Sequence, residues 1–198
     1  MRPRQAMVLL QRHDPATDRR YDPSQGDAGN QGADQAMSEV TVEVRVDLVI
    51  DGDLQELDEA AVTARLADGD TASLHEARAL DGAICIGGAE IVDELLSAVQ
   101  RLCFEGAAAL LADGAVVEYR YFSSSENARL AANGGTVVLS GSDVPESTFP
   151  RWDLIRALYA CGVRWLAVLD KIGRAPEANY LRPFAAAAQS ALAAAGLA

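Results

Sequence analysis

In VTVEVRVDLVIDGDLQELDEAAVTARLADGD, residues 40–70, the hydrophobic period changes partway along the chain. From Val40 to Ile50 the alternation is strict, with Val40, Val42, Val44, Val46, Leu48 and Ile50 on one face and Thr41, Glu43, Arg45, Asp47 and Val49 on the other. Period two in β-branched residues marks a half-buried strand. Asp51, Gly52 and Asp53 read as the turn that ends it, and Leu54, Leu57, Ala61 and Leu66 then recur near helical spacing among good helix formers. The expectation is a strand, a turn and a short amphipathic helix closed by Gly69.

Upstream, residues 1–36 mix Pro, Gly, Asp, Gln and Asn with no hydrophobic period. Such a segment buries too little apolar surface to offset its ordering entropy, so a disordered tail is expected. Met37 stands just before the first periodic stretch. Either translation starts there and the tail lies upstream of the protein, or the tail is a native flexible extension.

Downstream, the clearest strand of the stretch from Thr71 to Gly88 is Ala83 to Ile86. After Gly87 and Gly88, the residues Ile91, Leu95, Val99, Leu102 and Leu110 repeat at three to four positions and predict a helix, with Gly106 as a point of bending. Val116 to Phe122, Asn127 to Ala132 and Thr136 to Ser140 read as antiparallel strands, the last two joined by the Asn133, Gly134, Gly135 turn. Pro150 suits the first turn of a second long helix, which Gly173 closes. Residues 175–198 form an Ala-rich helix or a flexible end. The whole implies one α+β domain over residues 37–174: a mainly antiparallel sheet with two long helices packed on one face, behind the disordered N-terminal tail.

Among 198 residues the formal net charge is −12, and 49% are hydrophobic. That charge opposes binding to nucleic-acid phosphates, which needs clustered Lys and Arg. No apolar run approaches the ~18 to 20 residues of a membrane span, and the N-terminal AMVLL patch is too short for a signal peptide, so a cytoplasmic location is expected. Arginine far outnumbers the single Lys171, and with the abundant alanine this suggests a GC-rich bacterial source. Cys85, Cys103 and Cys161 lack C-x-x-C spacing and sit among apolar neighbours, as buried free thiols do.

No motif specifies catalysis or a cofactor. Gly87 and Gly88 precede three acids rather than a phosphate-binding G-K-[ST] ending. His75 is the only histidine after the tail, and nothing places a nucleophile beside it. An EF-hand register on Gly52 puts Val49 at the third position and Asp58 where Glu is needed, so no metal site is expected.

Charge is the uneven feature. Residues 1–36 are neutral; residues 37–90 hold thirteen acids against Arg45, Arg65 and Arg78, a net of −10; residues 91–198 carry −2. Asymmetry of this kind steers a basic partner. The leading expectation is therefore a non-enzymatic interaction protein of the immunity or antitoxin type, which masks a basic protein partner through Asp51, Asp53, Glu56, Asp58 and Glu59. The alternative is a small-molecule binding domain or enzyme with a pocket between sheet and helices, for which Tyr119, Tyr121, Ser123, Ser125 and Glu126 are the candidates. As a third option, the first strand serves as the edge of a homo-oligomer, which Glu43 and Asp47 would blunt.

Overall fold

The computed structural model describes residues 40–50, 53–69, 80–121 and 127–197. Among the described residues eight strands form two antiparallel four-stranded sheets. The first contains β1 (Val42–Ile50), β2 (Asp53–Leu57), β3 (Asp81–Ile86) and β4 (Ala89–Glu94), in the order β2-β1-β3-β4. The second is a meander of β5 (Val116–Arg120), β6 (Asn127–Asn133), β7 (Thr136–Gly141) and β8 (Ser147–Pro150). Between them in sequence come α1 (Glu59–Ala67) and α2, which runs unbroken through Leu95–Ala98, Val99–Gly106 and Ala107–Ala109; α3 (Arg151–Lys171) and α4 (Ala175–Ala194) follow β8. The expected α+β class, the antiparallel pairing and the long helices are what the chain adopts, with the strands divided between two sheets.

One hydrophobic core joins the inner faces of both sheets to the helices. The alternation in β1 does what its period demands: Val42, Val44, Val46 and Leu48 are buried, and Ile84 and Ile91 continue the same face on β3 and β4. Each such side chain gives up enough water contact to contribute ~1.5–3 kcal/mol. The second sheet supplies Leu130, Val137 and Leu139. Across this core α3 lays Leu154, Leu158, Cys161, Trp165 and Leu169, a stripe at helical spacing. At Gly162 the α2–α3 crossing is so close that a Cβ would stand 2.7 Å from the Phe104 ring and 2.9 Å from Cys103 Cβ.

Four local expectations change. Leu54 to Leu57 is strand, because it pairs with Val46 to Val49, and the helix begins only after Asp58, whose Oδ1 accepts the Ala61 N–H at 2.7 Å. Ala89 to Glu94 is also strand: Gly87 and Gly88, both at positive φ, make the tight turn of a β3–β4 hairpin, so the helix starts at Leu95. Gly106 does not split α2; it ends a π-helical stretch, Val99–Gly106, in which Val99, Leu102, Cys103 and Phe104 are all buried. Ser147 to Pro150 pairs with β7 as an edge strand, where proline is tolerated, so Pro150, expected in the first turn of the second long helix, is instead its N-cap. The C-terminal segment is a docked helix, since Ala178, Leu181, Ala188 and Leu192 of α4 are buried.

Arg151, the first residue of α3, ties these parts together. Its guanidinium donates to the Leu110 carbonyl at 2.7 Å, to the Leu111 carbonyl, and to the Gly134 carbonyl at 3.0 Å, which joins the end of α2 to the β6–β7 turn. No helix among the described residues is long and apolar enough to cross a membrane.

Candidate functional site

The pairing register decides which acids of the N-terminal half stand together. Directly paired residues in a sheet share a face. Asp47 pairs with Glu56 on β2, and on its other side the next residue beyond the Val46–Gly82 pair is Asp81. Glu43 pairs with Cys85, and Cys85 with Glu90. Arg45 pairs with Ala83, and Ala83 with Val92; Val49 pairs with Leu54. All of these lie on the face of the first sheet opposite the core. Asp81 in turn pairs with Glu94, so among the described residues the register sets six carboxylates, on Glu43, Asp47, Glu56, Asp81, Glu90 and Glu94, on one face with one guanidinium, that of Arg45.

This face is open. Val49 is 66% exposed, Leu54 72% and Val92 54%, which a packed layer would not permit. Arg45 binds Glu90 and reaches Glu56 at 3.1 Å and Glu43 at 4.0 Å, so the one cation is engaged by three anions. Among the described residues Asp47 has no such relief: burial, and then repulsion from Glu56 and Asp81, raise its pKa above the usual carboxylate value. Under the Arg45 side chain Cys85 is buried, and burial pushes its thiol up to about 11 although Arg45 pulls the other way.

The acids chosen from sequence do not act as one group. Glu56 sits on the acidic face. Asp53 is exposed at the start of β2 opposite Ile50 and so faces the other way. Asp58 is the α1 cap. Glu59 turns toward α3, where its carboxylate takes Arg164 Nε at 3.0 Å and Arg164 Nη2 at 3.0 Å. Asp51 lies outside the described residues, as do His75 and the tail. Glu43, Asp47, Asp81, Glu90 and Glu94, which complete the face, were not among the chosen five. Only the register unites them, and alternation within β1 signalled Glu43 and Asp47 alone.

A second polar site adjoins β5. A cleft of about 530 Å³ is lined by Asp93, Ser97, Gln100, Arg101, Tyr119 and Arg120, among others. At its floor Tyr119 Oη donates to Asp93 Oδ2 at 2.7 Å, and both residues are buried. Burial, and then this bond, hold the Tyr119 phenol well above its usual range. Tyr121 is buried beside Tyr119, with ring centroids 5.8 Å apart. Ser123, Ser125 and Glu126 lie outside the described residues. Asp93 is not legible as the partner of Tyr119 in the sequence, because helical periodicity assigns it to a helix rather than to β4. Among the described residues no three His, Cys, Asp or Glu side chains converge as metal ligands. The chain matches no protein-family model, no curated protein and no solved structure.

Proposed function

We propose that this protein is a non-enzymatic interaction protein, immunity- or antitoxin-like in mode, whose first sheet presents its acidic face to a basic protein partner. The observation that carries the reading is the convergence of Glu43, Asp47, Glu56, Asp81, Glu90 and Glu94 on an open sheet face that also exposes Val49, Leu54 and Val92. Carboxylates steer and orient a cationic partner, and the apolar side chains supply contact that salt does not screen. Unrelieved repulsion at Asp47 also favours a cation brought from outside.

The test is retention of basic proteins from host lysate on the immobilised protein at low and high salt. The triple variant Glu43→Lys, Glu56→Lys, Glu90→Lys is run beside an Asp143→Lys, Glu146→Lys control that carries charge reversals elsewhere. Retention that survives in the control and falls in the triple variant is expected. Equal retention by both would sink the proposal.

The cleft at Asp93 and Tyr119 favours a second reading, a small-molecule site. Among the described residues Arg120 there has no ion-pair partner, and a buried carboxylate opens into the same space. Thermal shift against a metabolite panel tests it, because a ligand confined to the folded state raises the melting temperature. A flat panel would remove it.

A further inference from the structure

The cleft beside β5 lies where the two sheets meet, since β4 and β5 are the outer strands of their sheets and the Tyr119–Asp93 bond joins them. Another wall is the π-helical stretch of α2, which brings Gln100 and Arg101. Such departures from α-helical winding are rare and are frequent at functional sites. Here the wider turn lets one carboxylate hold two residues of the wall: Glu105 accepts Gln100 Nε2 at 3.0 Å, five positions away, and Arg101 Nη1 at 2.7 Å. Tyr180 Oη donates to the other end of the Gln100 amide at 2.7 Å.

Donors and acceptors in this cleft are sorted by depth. At the floor the Tyr119 phenol keeps its proton and directs it to Asp93, so Tyr119 Oη and the Asp93 carboxylate meet the cleft as acceptors. At the mouth Arg101 and Arg120 are exposed and can only donate. Arg101 is engaged by Glu105. Glu118, the exposed acid of the lining, pairs across the strands with Arg129, whereas Arg120 pairs with Asn127 and so faces no charge of opposite sign there. Asp93 and Glu118 against Arg101 and Arg120 leave the lining without net charge.

We propose that this cleft takes a small zwitterion, an amino-carboxylate whose ammonium group sits on Asp93 and Tyr119 and whose carboxylate is held by Arg120. The proposal rests on the small-molecule reading of the cleft above and deepens it by giving the ligand's chemistry. An acceptor floor suits an ammonium group, whose N–H donors the Asp93 oxygens and Tyr119 Oη can share. The planar guanidinium of Arg120 matches a carboxylate with two parallel bonds. A simple anion would bring its charge toward buried Asp93, and a simple amine would leave Arg120 unmatched. Only a ligand with both ends satisfies both ends of the cleft, and a ligand without net charge suits a lining without net charge. A volume of about 530 Å³ lies in the range of small-ligand sites, and every lining residue is polar, which gives no place to a bulky apolar side chain.

Calorimetric titration of the full chain at neutral pH tests this with glycine, L-alanine, β-alanine and 4-aminobutyrate, which vary the spacing of the two charges. Butylamine and butyrate, with one charge each, are the comparisons. The expected result is that at least one zwitterion binds about tenfold or more tightly than either comparison. Asp93→Asn keeps an acceptor for Tyr119 and loses the charge; Arg120→Gln changes an exposed side chain. Each should weaken that binding about tenfold or more with an unchanged far-ultraviolet spectrum, and Arg156→Gln, outside the cleft, should leave it as it was. Should Asp93→Asn fail to fold, Arg120→Gln decides the matter. Butyrate or butylamine binding as tightly as the best zwitterion, or zwitterion binding that survives Arg120→Gln, would overturn the proposal. If no zwitterion binds at millimolar concentration while a metabolite of the panel raises the melting temperature and loses that effect in Arg120→Gln, the small-molecule reading stands and the zwitterion falls. If neither the zwitterions nor the panel give a signal, both fall.

Discussion

Arg151→Met removes a cation that is 5% exposed and that donates to the carbonyls of Leu110, Leu111 and Gly134. Methionine keeps much of the stem's volume, so the loss is mainly polar. Leu110 is fully buried, and its carbonyl is left without the charged donor. Leu111 is half-buried and Gly134 exposed, so water recovers part of what those two lose. A hydrogen bond to a charged group contributes ~1.5–3 kcal/mol net, and the three do not add fully, which gives a loss of roughly 3–5 kcal/mol. The Asp113 contact at 3.5 Å adds little, because that carboxylate is 71% exposed. For a chain of this size the loss corresponds to a melting temperature lower by roughly 6–20 °C. Urea unfolding followed by circular dichroism measures it, with Trp152→Ala as the control. Trp152 is exposed and lies 4.7 Å from the guanidinium, a cation–π contact worth about 0.5–1 kcal/mol. If Arg151→Met unfolds within about 1 kcal/mol of the wild type, water satisfies these carbonyls and Arg151 does not tie α2 to the β6–β7 turn.

Asp47→Asn should stabilise the fold at neutral pH. A carboxyl whose folded pKa is raised contributes stability that is present below its unfolded value and lost as pH rises through the folded value, so the gain from Asn should vanish under acid conditions; urea midpoints from pH 3 to 7 decide it. Tyr119→Phe removes one donor from buried Asp93 and should cost about 1–3 kcal/mol in the same assay, and a cost near zero would mean the bond adds nothing. Gly162→Ala forces a methyl into Phe104 and Cys103 and should cost about 1–3 kcal/mol, whereas Gly135→Ala, with open space around it, should be near neutral; equal effects would refute the close crossing. All three thiols are buried, so a disulfide reagent at pH 8 should label them only after unfolding, and rapid labelling of the native protein would contradict their packing.

Much of the fold was legible where one period stood alone. β1 has strict alternation over many residues, and α3 has an unbroken helical stripe between Pro150 and Gly173. The errors fall where a short segment satisfies two periods. Ile91 and Leu95 are spaced for a helix, yet Ala89, Ile91 and Asp93 also alternate, and the Gly87–Gly88 turn with β3 as neighbour selects the strand. Leu54 and Leu57 fit one helical turn equally well, and pairing with β1 overrides it. The C-terminal helix has little apolar bulk, and its four buried side chains find their places only because α2 and α3 lie beneath them.

The sequence by itself determined the charge asymmetry, the α+β class and the acidic character of residues 37–90, because composition and local periodicity need no partner to be read. Tertiary structure alone decided where those acids point. Asp47 and Asp81 become neighbours, and Glu43 and Glu90 come to flank Cys85, through register, which depends on pairing between distant segments and shifts every side chain to the opposite face if it slips by one residue.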